Sequence, residues 1–472
     1  PRAPAPGIAG PTRDPRPIPV MEDVPGAAAP RAPRSALPLG VTPHPASSIE
    51  PWLALALAAP LGPAVCRRLR ESFPEPLALR RLLAAALGPE RSAARTARAA
   101  LGAPHGPLAP AHLAALDAAL TRRRVAETLE WLACDPCHHV IPIDDPRYPA
   151  PLRASLDPPP LLWLRGDPAA LGGPAVAVVG SREATHAGRE LARHLARELA
   201  ASGLLVVSGL ALGIDAAAHA GALEAGGATL AFTATGVDTV YPRRHAPLAR
   251  AMLERGGALA SEFPLRHPPQ PWCFPQRNRL ISGASLGLLV VEAALPSGSL
   301  TTARHALDQG REVMAVPGAV GNPESAGCHA LIRDGAALVT SAAEVLRVLE
   351  APLRRALVEG SQAAPTAQPS RTLGTGAGDA PSAHAPPVVS PNPPSRPRET
   401  PTGSVERHVW HCLGGAAVTL EQLVVRSGLG VPVLLAALGE LELAGFVVRE
   451  SGGRYAPREH RPSGGSVTAP SR

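Results

Sequence analysis

Between Leu161 and Val339 one short pattern recurs: a brief apolar run, then a small or glycine-rich turn, then a helical stretch. The runs are Leu161–Leu164, Val176–Val179, Leu204–Val207, Thr229–Thr233, Ala258–Leu259, Leu286–Val291, Glu312–Val316 and Ala337–Val339. They do not alternate apolar with polar, so neither face of such a strand is meant for water. Helical stretches lie between several of them, one from Gly188 to Ala201 before Gly203, another opening near Ile214. Buried strands alternating with helices predict a parallel sheet covered on both sides. In such sheets ligands bind outside the carboxyl ends of the strands, where the small residues fall here.

The flanks read differently. Residues 1–48 are rich in Pro, Ala and Arg and predict a disordered tail. Residues 49–139 show helical periodicity over Leu79–Leu87 and Ala111–Leu132, cut by Pro60, Pro63, Pro74, Pro76 and Pro89. They predict a small helical domain, SAM- or helix-hairpin-helix-like around the Leu61-Gly62-Pro63 turn. The sheet domain is expected over 140–350. Residues 351–402 are a Pro/Ser/Thr/Ala-rich linker. Residues 403–457 predict helices over Val405–Cys412, Leu420–Arg426 and Pro432–Ala444, then a hairpin from Phe446–Arg449 to Arg454-Tyr455, the pattern of a winged helix. A second disordered tail is expected over 458–472.

Charge narrows the chemistry. All 46 basic Lys/Arg positions are Arg, and the net charge is +7. Every cation is therefore a planar, permanently charged fork suited to phosphate or to stacking. Schiff-base and P-loop lysine chemistry is excluded. From Pro174 to Thr340 fourteen Arg face thirteen acids, so any polyanion site must come from local clustering. Six scattered Cys suit a reducing compartment rather than a disulfide framework. The absence of a secretory-type apolar segment or a membrane-length run makes the cytoplasm, and no membrane partner, the expectation.

Four segments carry candidate chemistry. Gly180-Ser181-Arg182 follows a strand, where Gly180 permits close backbone approach and the next amides can face an anion. Ser208-Gly209 opens a loop that runs through Gly213 to Asp215; its amides can form an anion nest, or Asp215 can simply cap the helix. Phe274-Pro275-Gln276-Arg277-Asn278-Arg279 offers cations to phosphates and a ring to a base, or else structural arginines paired with Glu262 or Glu292. Ser297, Gly298, Ser299 and Thr301 open a helix, either as phosphate ligands or as plain caps.

The order and spacing of these segments resemble the DprA/Smf family, DNA processing protein A. The matching stretches include Ala177-Val-Val-Gly-Ser-Arg182, Val207-Ser-Gly-Leu-Ala211 with Gly213-Ile-Asp215, Thr235-Gly-Val-Asp238 with Tyr241-Pro242, Phe274-Pro275 with Arg277-Asn278-Arg279, and Ser297-Gly-Ser-Leu-Thr-Thr-Ala-Arg304. The resemblance covers roughly residues 140–345. It implies an extended Rossmann-like domain that binds single-stranded DNA in a basic pocket, a homodimer, and an interaction with RecA that helps load it on incoming strands in natural transformation. By position the pocket comprises Gly180, Ser181, Arg182, Ser208, Gly209, Phe274, Arg277, Asn278 and Arg279. No cofactor, metal or catalytic residue is expected. Two departures stand out: Leu212 occupies a position usually basic in the family, and Cys328-His329 replaces a small residue followed by Asn.

Other arrangements are weighed against simpler ones. Cys134-Asp-Pro-Cys137-His138-His139 has the look of a metal knuckle, but no second ligand cluster accompanies it, and a helix running into a strand explains it. His219 lies on an apolar helix and reads as packed; with Ser208 and Asp215 it makes an unconvincing triad. The third helix of the winged unit carries Glu440 and Glu442 and no Arg, unlike a groove-reading helix, leaving Arg449 and Arg454 for weak DNA contact. The alternative to a DNA-binding accessory protein is a Rossmann-like nucleotide hydrolase using Glu262 or Glu292 as base.

Overall fold

The computed structural model describes residues 46–58, 61–102, 106–116, 118–362, 401, 403–414, 417–450 and 453–458. Residues 1–45 and 459–472 of the expected tails, and the linker from 363 to 400, lie outside the described residues. Two expected boundaries shift: residues 46–48 belong to the first helix, and residues 351–362 continue a helix rather than starting a linker.

The amino-terminal layer is helical: α1 (Ala46–Ala58), α2 (Pro63–Ser72), α3 (Pro76–Leu87), α4 (Arg91–Leu101), α5 (Pro110–Leu116) and α6 (Ala119–Cys134). Proline takes the first position of α2, α3 and α5, where its missing N–H costs no helical bond. Trp52, Leu53, Leu55 and Leu83 are fully buried in this layer, whose core continues into Val140, Leu161 and Trp163 of the sheet.

The sheet domain runs β1 (His138–Pro142), α7 (Ala150–Arg153), β2 (Leu161–Gly166), β3 (Ala175–Val179), α8 (His186–Ala201), β4 (Leu205–Ser208), α9 (Ile214–Glu224), β5 (Thr229–Phe232), α10 (Ala246–Glu254), β6 (Ala258–Ser261), α11 (Cys273–Gly283), β7 (Gly287–Val290), α12 (Gly298–Asp308), β8 (Glu312–Ala315), α13 (Ala326–Arg333), β9 (Ala337–Leu338) and α14 (Ala342–Gln362). The strand order is β1-β2-β6-β5-β4-β3-β7-β8-β9. From β6 to β9 every neighbouring pair is parallel, as the apolar runs predict. β2 departs from that expectation and pairs antiparallel with both β1 and β6. Only Asp167–Pro174 separates it from β3, too little chain for a crossover of a dozen or more residues. The chain order reverses at β3, which lies between β4 and β7. The turns after these three strands therefore meet at one crevice.

The carboxyl-terminal unit is a winged helix of α15 (Ser404–Leu413), β10 (Val418–Thr419), α16 (Leu420–Ser427), α17 (Val431–Leu443), β11 (Val447–Glu450) and β12 (Arg454–Pro457). Thr419 and Gln422 cap α16 reciprocally. Its core merges with that of α8 and α14. The backbone N–H of Val431 donates to Ser202 O at 2.8 Å. Glu350 of α14 is buried and accepts from Tyr455 Oη at 2.5 Å and Arg449 Nη2 at 2.8 Å. Arg354 reaches Glu442 at 2.9 Å. Arg449, expected to be free for weak DNA contact, is thus tied to the sheet domain.

Candidate nucleic-acid interface

The crevice at β3 is closed by the protein's own groups. Gly180 is the one residue that fits its place: a Cβ there would lie 2.5 Å from Ile214 Cγ1 and 2.7 Å from Glu292 O. Ser181 N donates to Glu292 O at 2.7 Å. The Glu292 carboxylate accepts from Thr185 N at 2.8 Å and Thr185 Oγ1 at 2.7 Å. Ser208 is fully buried and its hydroxyl donates to Val178 O at 2.6 Å. Gly209 N and Ala211 N both donate to Asp215 Oδ2, at 3.1 and 3.3 Å. The anion nest read from the sequence therefore holds a carboxylate of the chain itself, and the amides of Ser181 and Gly209 are not available to phosphate. Burial raises the Asp215 pKa, against the opposing pull of the Arg277 charge and these amides.

Arg277 and Arg279 do not form the exposed pair that their spacing suggested. Both sit on α11, where positions two apart point to different faces. Arg277 is 3% exposed; its Nη1 donates to Gly209 O and Phe232 O. Burial pushes its pKa down to about 10, offset in part by Asp215. Arg279 is 1% exposed; it pairs with Glu262 and donates to Asp157 O at 2.5 Å. These guanidinium groups tie α11 to the β4–α9 loop and to the turn before β2. The expectation that they hold backbone phosphates is corrected: removing them from their buried acceptors would strand charges without water.

The surface at this sheet edge is built from their neighbours. Arg182 is exposed, and its guanidinium carbon lies 5.0 Å from the centroid of the Phe274 ring. Tyr241, 46% exposed, sits with its ring 5.8 Å from Phe274. Asn278, half-buried, donates to Gly298 O at 3.3 Å, which brings the start of α12 alongside. At that helix start Ser297 caps Ser299 N, Ser297 and Ser299 share a hydroxyl contact of 2.7 Å, and Ser299 is buried. Gly298 is exposed and Thr301 half-buried. The cap reading accounts for Ser297 and Ser299.

From Arg182 an open groove of about 470 Å³ runs between α8 and α9, past Leu212 and Gly213, to Arg244 and His245. Arg189 and Arg193 line its α8 side; Arg193 is paired with Glu224, while Arg189 donates to Ala184 O at 2.6 Å. Arg182 and Arg244 are exposed and make no salt bridge among the described residues. Sequence reading passed over Arg189 and Arg244, and quoted Tyr241 as part of a family match without assigning it to the site. The Arg243-Arg244-His245 run beside Tyr241-Pro242 was its one visible signal. Leu212, where a basic residue was expected, lines the groove together with Arg244. Cys328 is fully buried, its thiol pushed up to about 12 by burial, and His329 Nε2 contacts Gly318 O at 3.0 Å.

The other arrangements resolve as packing. His219 is fully buried with Nδ1 2.8 Å from Thr229 Oγ1. Thr229 donates its own proton to Val206 O, so its oxygen accepts and the imidazole proton rests on Nδ1. Burial pushes the His219 pKa down to about 3. His138 stacks on Trp131 at 4.0 Å, and no three His, Cys, Asp or Glu side chains among the described residues gather as a metal would need. Both carboxylates proposed as hydrolytic bases are engaged, Glu292 by Thr185 and Glu262 by Arg279. Among the described residues no single helix is long and apolar enough to cross a membrane.

A family model described as DNA recombination-mediator protein A matches residues 139–350, and a DprA winged helix domain matches 393–453. Protein Smf of Escherichia coli is 41% identical over 332 residues, covering 70% of this chain and 80% of that protein. DNA processing protein DprA of Bacillus subtilis is 42% identical over 212 residues, 45% of this chain and 71% of that one. The X-ray structure of DNA processing protein A from Streptococcus pneumoniae superimposes with a TM-score of 0.50 at 30% identity, over 65% of this chain and 98% of that chain. With its parallel sheet, its appended winged helix and these relatives, the chain belongs to the DprA/Smf family of DNA processing proteins.

Proposed function

We propose that this chain binds single-stranded DNA along the exposed edge marked by Arg182, Phe274, Tyr241 and Arg244, and acts as a recombination mediator in natural transformation. The observation that carries the reading is the exposed Arg182 guanidinium 5.0 Å above Phe274, with Tyr241 beside it and the Arg244 groove behind. Phosphates suit the open guanidinium forks, and an unpaired base suits the adjacent rings. Duplex DNA hides its base faces and gains nothing from the rings. Of the residues chosen from sequence, Arg182, Phe274, Asn278, Gly298 and Thr301 remain as direct contacts. Gly180, Ser181, Ser208, Gly209, Arg277, Arg279, Ser297 and Ser299 shape the edge from beneath.

The same reading makes the chain a cytoplasmic homodimer that hands its strand to RecA, with no catalytic step of its own. Family membership supports this part. Titration of oligo-dT against duplex of equal length, at two salt concentrations, tests the binding. Preference for the single strand, weakening steeply with salt, is the expected result. Equal affinity for both forms would overturn it.

A further inference from the structure

Two non-glycine residues among the described residues hold the left-handed backbone conformation, Leu210 at φ 56° and Arg266 at φ 61°. A side chain crowds its own backbone there, so such residues persist only where neighbouring groups hold them, and they gather at ligand clamps and switch regions. Leu210 follows β4 and Arg266 follows β6, on separate loops at the carboxyl edge of the sheet. One segment bonds both. At its start the Asp238 carboxylate accepts from Arg266 N, 2.9 Å from each oxygen. At its end His245 Nδ1 lies 2.9 Å from Leu210 O. A carbonyl only accepts, so the imidazole carries a proton on Nδ1.

Between these two anchors lie Tyr241 and Arg244, both exposed. The anchor points are themselves fixed. Leu210 is fully buried, and its neighbours Gly209 and Ala211 donate to Asp215. Ahead of Asp238, Gly236 N donates to His267 O at 3.2 Å, and Thr235 Oγ1 donates to Thr239 O at 2.6 Å. We propose that Asp238 and His245 are positioning residues: they clamp the segment at its two ends and hold the Tyr241 ring and the Arg244 guanidinium at a fixed spacing on one strand. The inference rests on the DNA-binding reading and adds to it the device that orders two of its contacts before the strand arrives. A contact ordered in advance loses less freedom on binding, an advantage of about two- to thirteen-fold in affinity for one side chain.

The test is anisotropy of labelled oligo-dT with the full chain at several salt concentrations. Asp238→Ala and His245→Ala should each weaken binding by about two- to thirteen-fold, with the parent's salt slope. The slope counts phosphates neutralised, and positioning leaves that number unchanged. Asp238→Asn keeps an acceptor for Arg266 N, and His245→Asn keeps a donor near the place of Nδ1; both should recover most of the loss. In a Tyr241→Ala/Arg244→Ala background the alanine substitutions should cost nothing further, because nothing remains to be positioned. A general structural defect would cost the same in either background. Hydrogen exchange of the unbound variants should quicken over residues 235–245 and stay unchanged in the rest of the sheet domain. If an alanine variant does not fold, Asp238→Ser or His245→Gln, which withdraws or displaces the same bond, takes its place. Parent-like affinity in both single variants, an equal loss in the two backgrounds, or a flattened slope in His245→Ala would overturn the positioning role while the DNA-binding reading stands. If Tyr241→Ala/Arg244→Ala itself binds like the parent, the reading of this edge fails and the clamp falls with it.

Discussion

Replacing Arg182 and Arg244 together by alanine separates electrostatic contact from stacking at the exposed edge. Both side chains are exposed and line the same groove, and neither makes a salt bridge among the described residues. Their loss should leave the fold intact. Each phosphate neutralised on a single strand contributes about 0.7 to the slope of log K against log salt. Removing two contacts should flatten that slope by about 1.4. Over a four-fold rise in salt the double variant should then lose roughly seven-fold less of its affinity than the parent chain does. Phe274→Ala should behave oppositely. Loss of one stacked base costs about 1–3 kcal/mol, roughly five- to 150-fold in affinity, at every salt concentration. The assay is anisotropy of a labelled oligo-dT at four or five salt concentrations, with circular dichroism as the check on folding. A double variant with the parent's slope, or a Phe274→Ala variant whose defect disappears at high salt, would show that the strand runs elsewhere.

Arg279→Ala should destabilise the fold by about 3–5 kcal/mol in chemical denaturation, because Glu262 is left buried and uncompensated. A loss confined to DNA affinity, with unchanged stability, would contradict the buried tie. His219 sets a pH dependence. Its folded pKa, about 3, lies below the usual 6.5, so the unfolded chain binds the proton more readily. Its contribution is fully present above pH 6.5 and is lost as pH falls toward 3, with a slope of at most about 1.4 kcal/mol per pH unit. His219→Asn, which retains a donor toward Thr229, should flatten the acid limb of the stability profile; an unchanged limb argues against this residue. Leu212→Arg restores a cation to the groove and should steepen the salt slope by about 0.7, with tighter binding at low salt. No change in slope would place Leu212 off the path of the strand.

The strands and helices of the central domain were legible because buried parallel strands leave uninterrupted apolar runs and their turns need small residues. The winged helix was legible from its caps and hairpin. The antiparallel placement of β2 was not, because apolar content says nothing of strand direction; the short Asp167–Pro174 connection was the available clue. Arg277 and Arg279 were read first as phosphate ligands, with pairing to Glu262 or Glu292 as the alternative; the segment is the helix α11, whose geometry sends the two side chains to different buried acceptors, and Arg279 takes the Glu262 partner. The Gly209 nest was misread because Asp215, considered only as a helix cap, reaches back to both loop amides.

Local physics thus settled most element types, the composition of cations and the small-residue turns at the carboxyl edge of the sheet. Which cations face water was settled elsewhere. A guanidinium exposes its charge only where no carbonyl or carboxylate of the chain lies within reach, and that depends on residues distant in sequence. Arg279 is enclosed by Asp157 and Glu262, whereas Arg182 is exposed over the Phe274 ring and makes no salt bridge among the described residues.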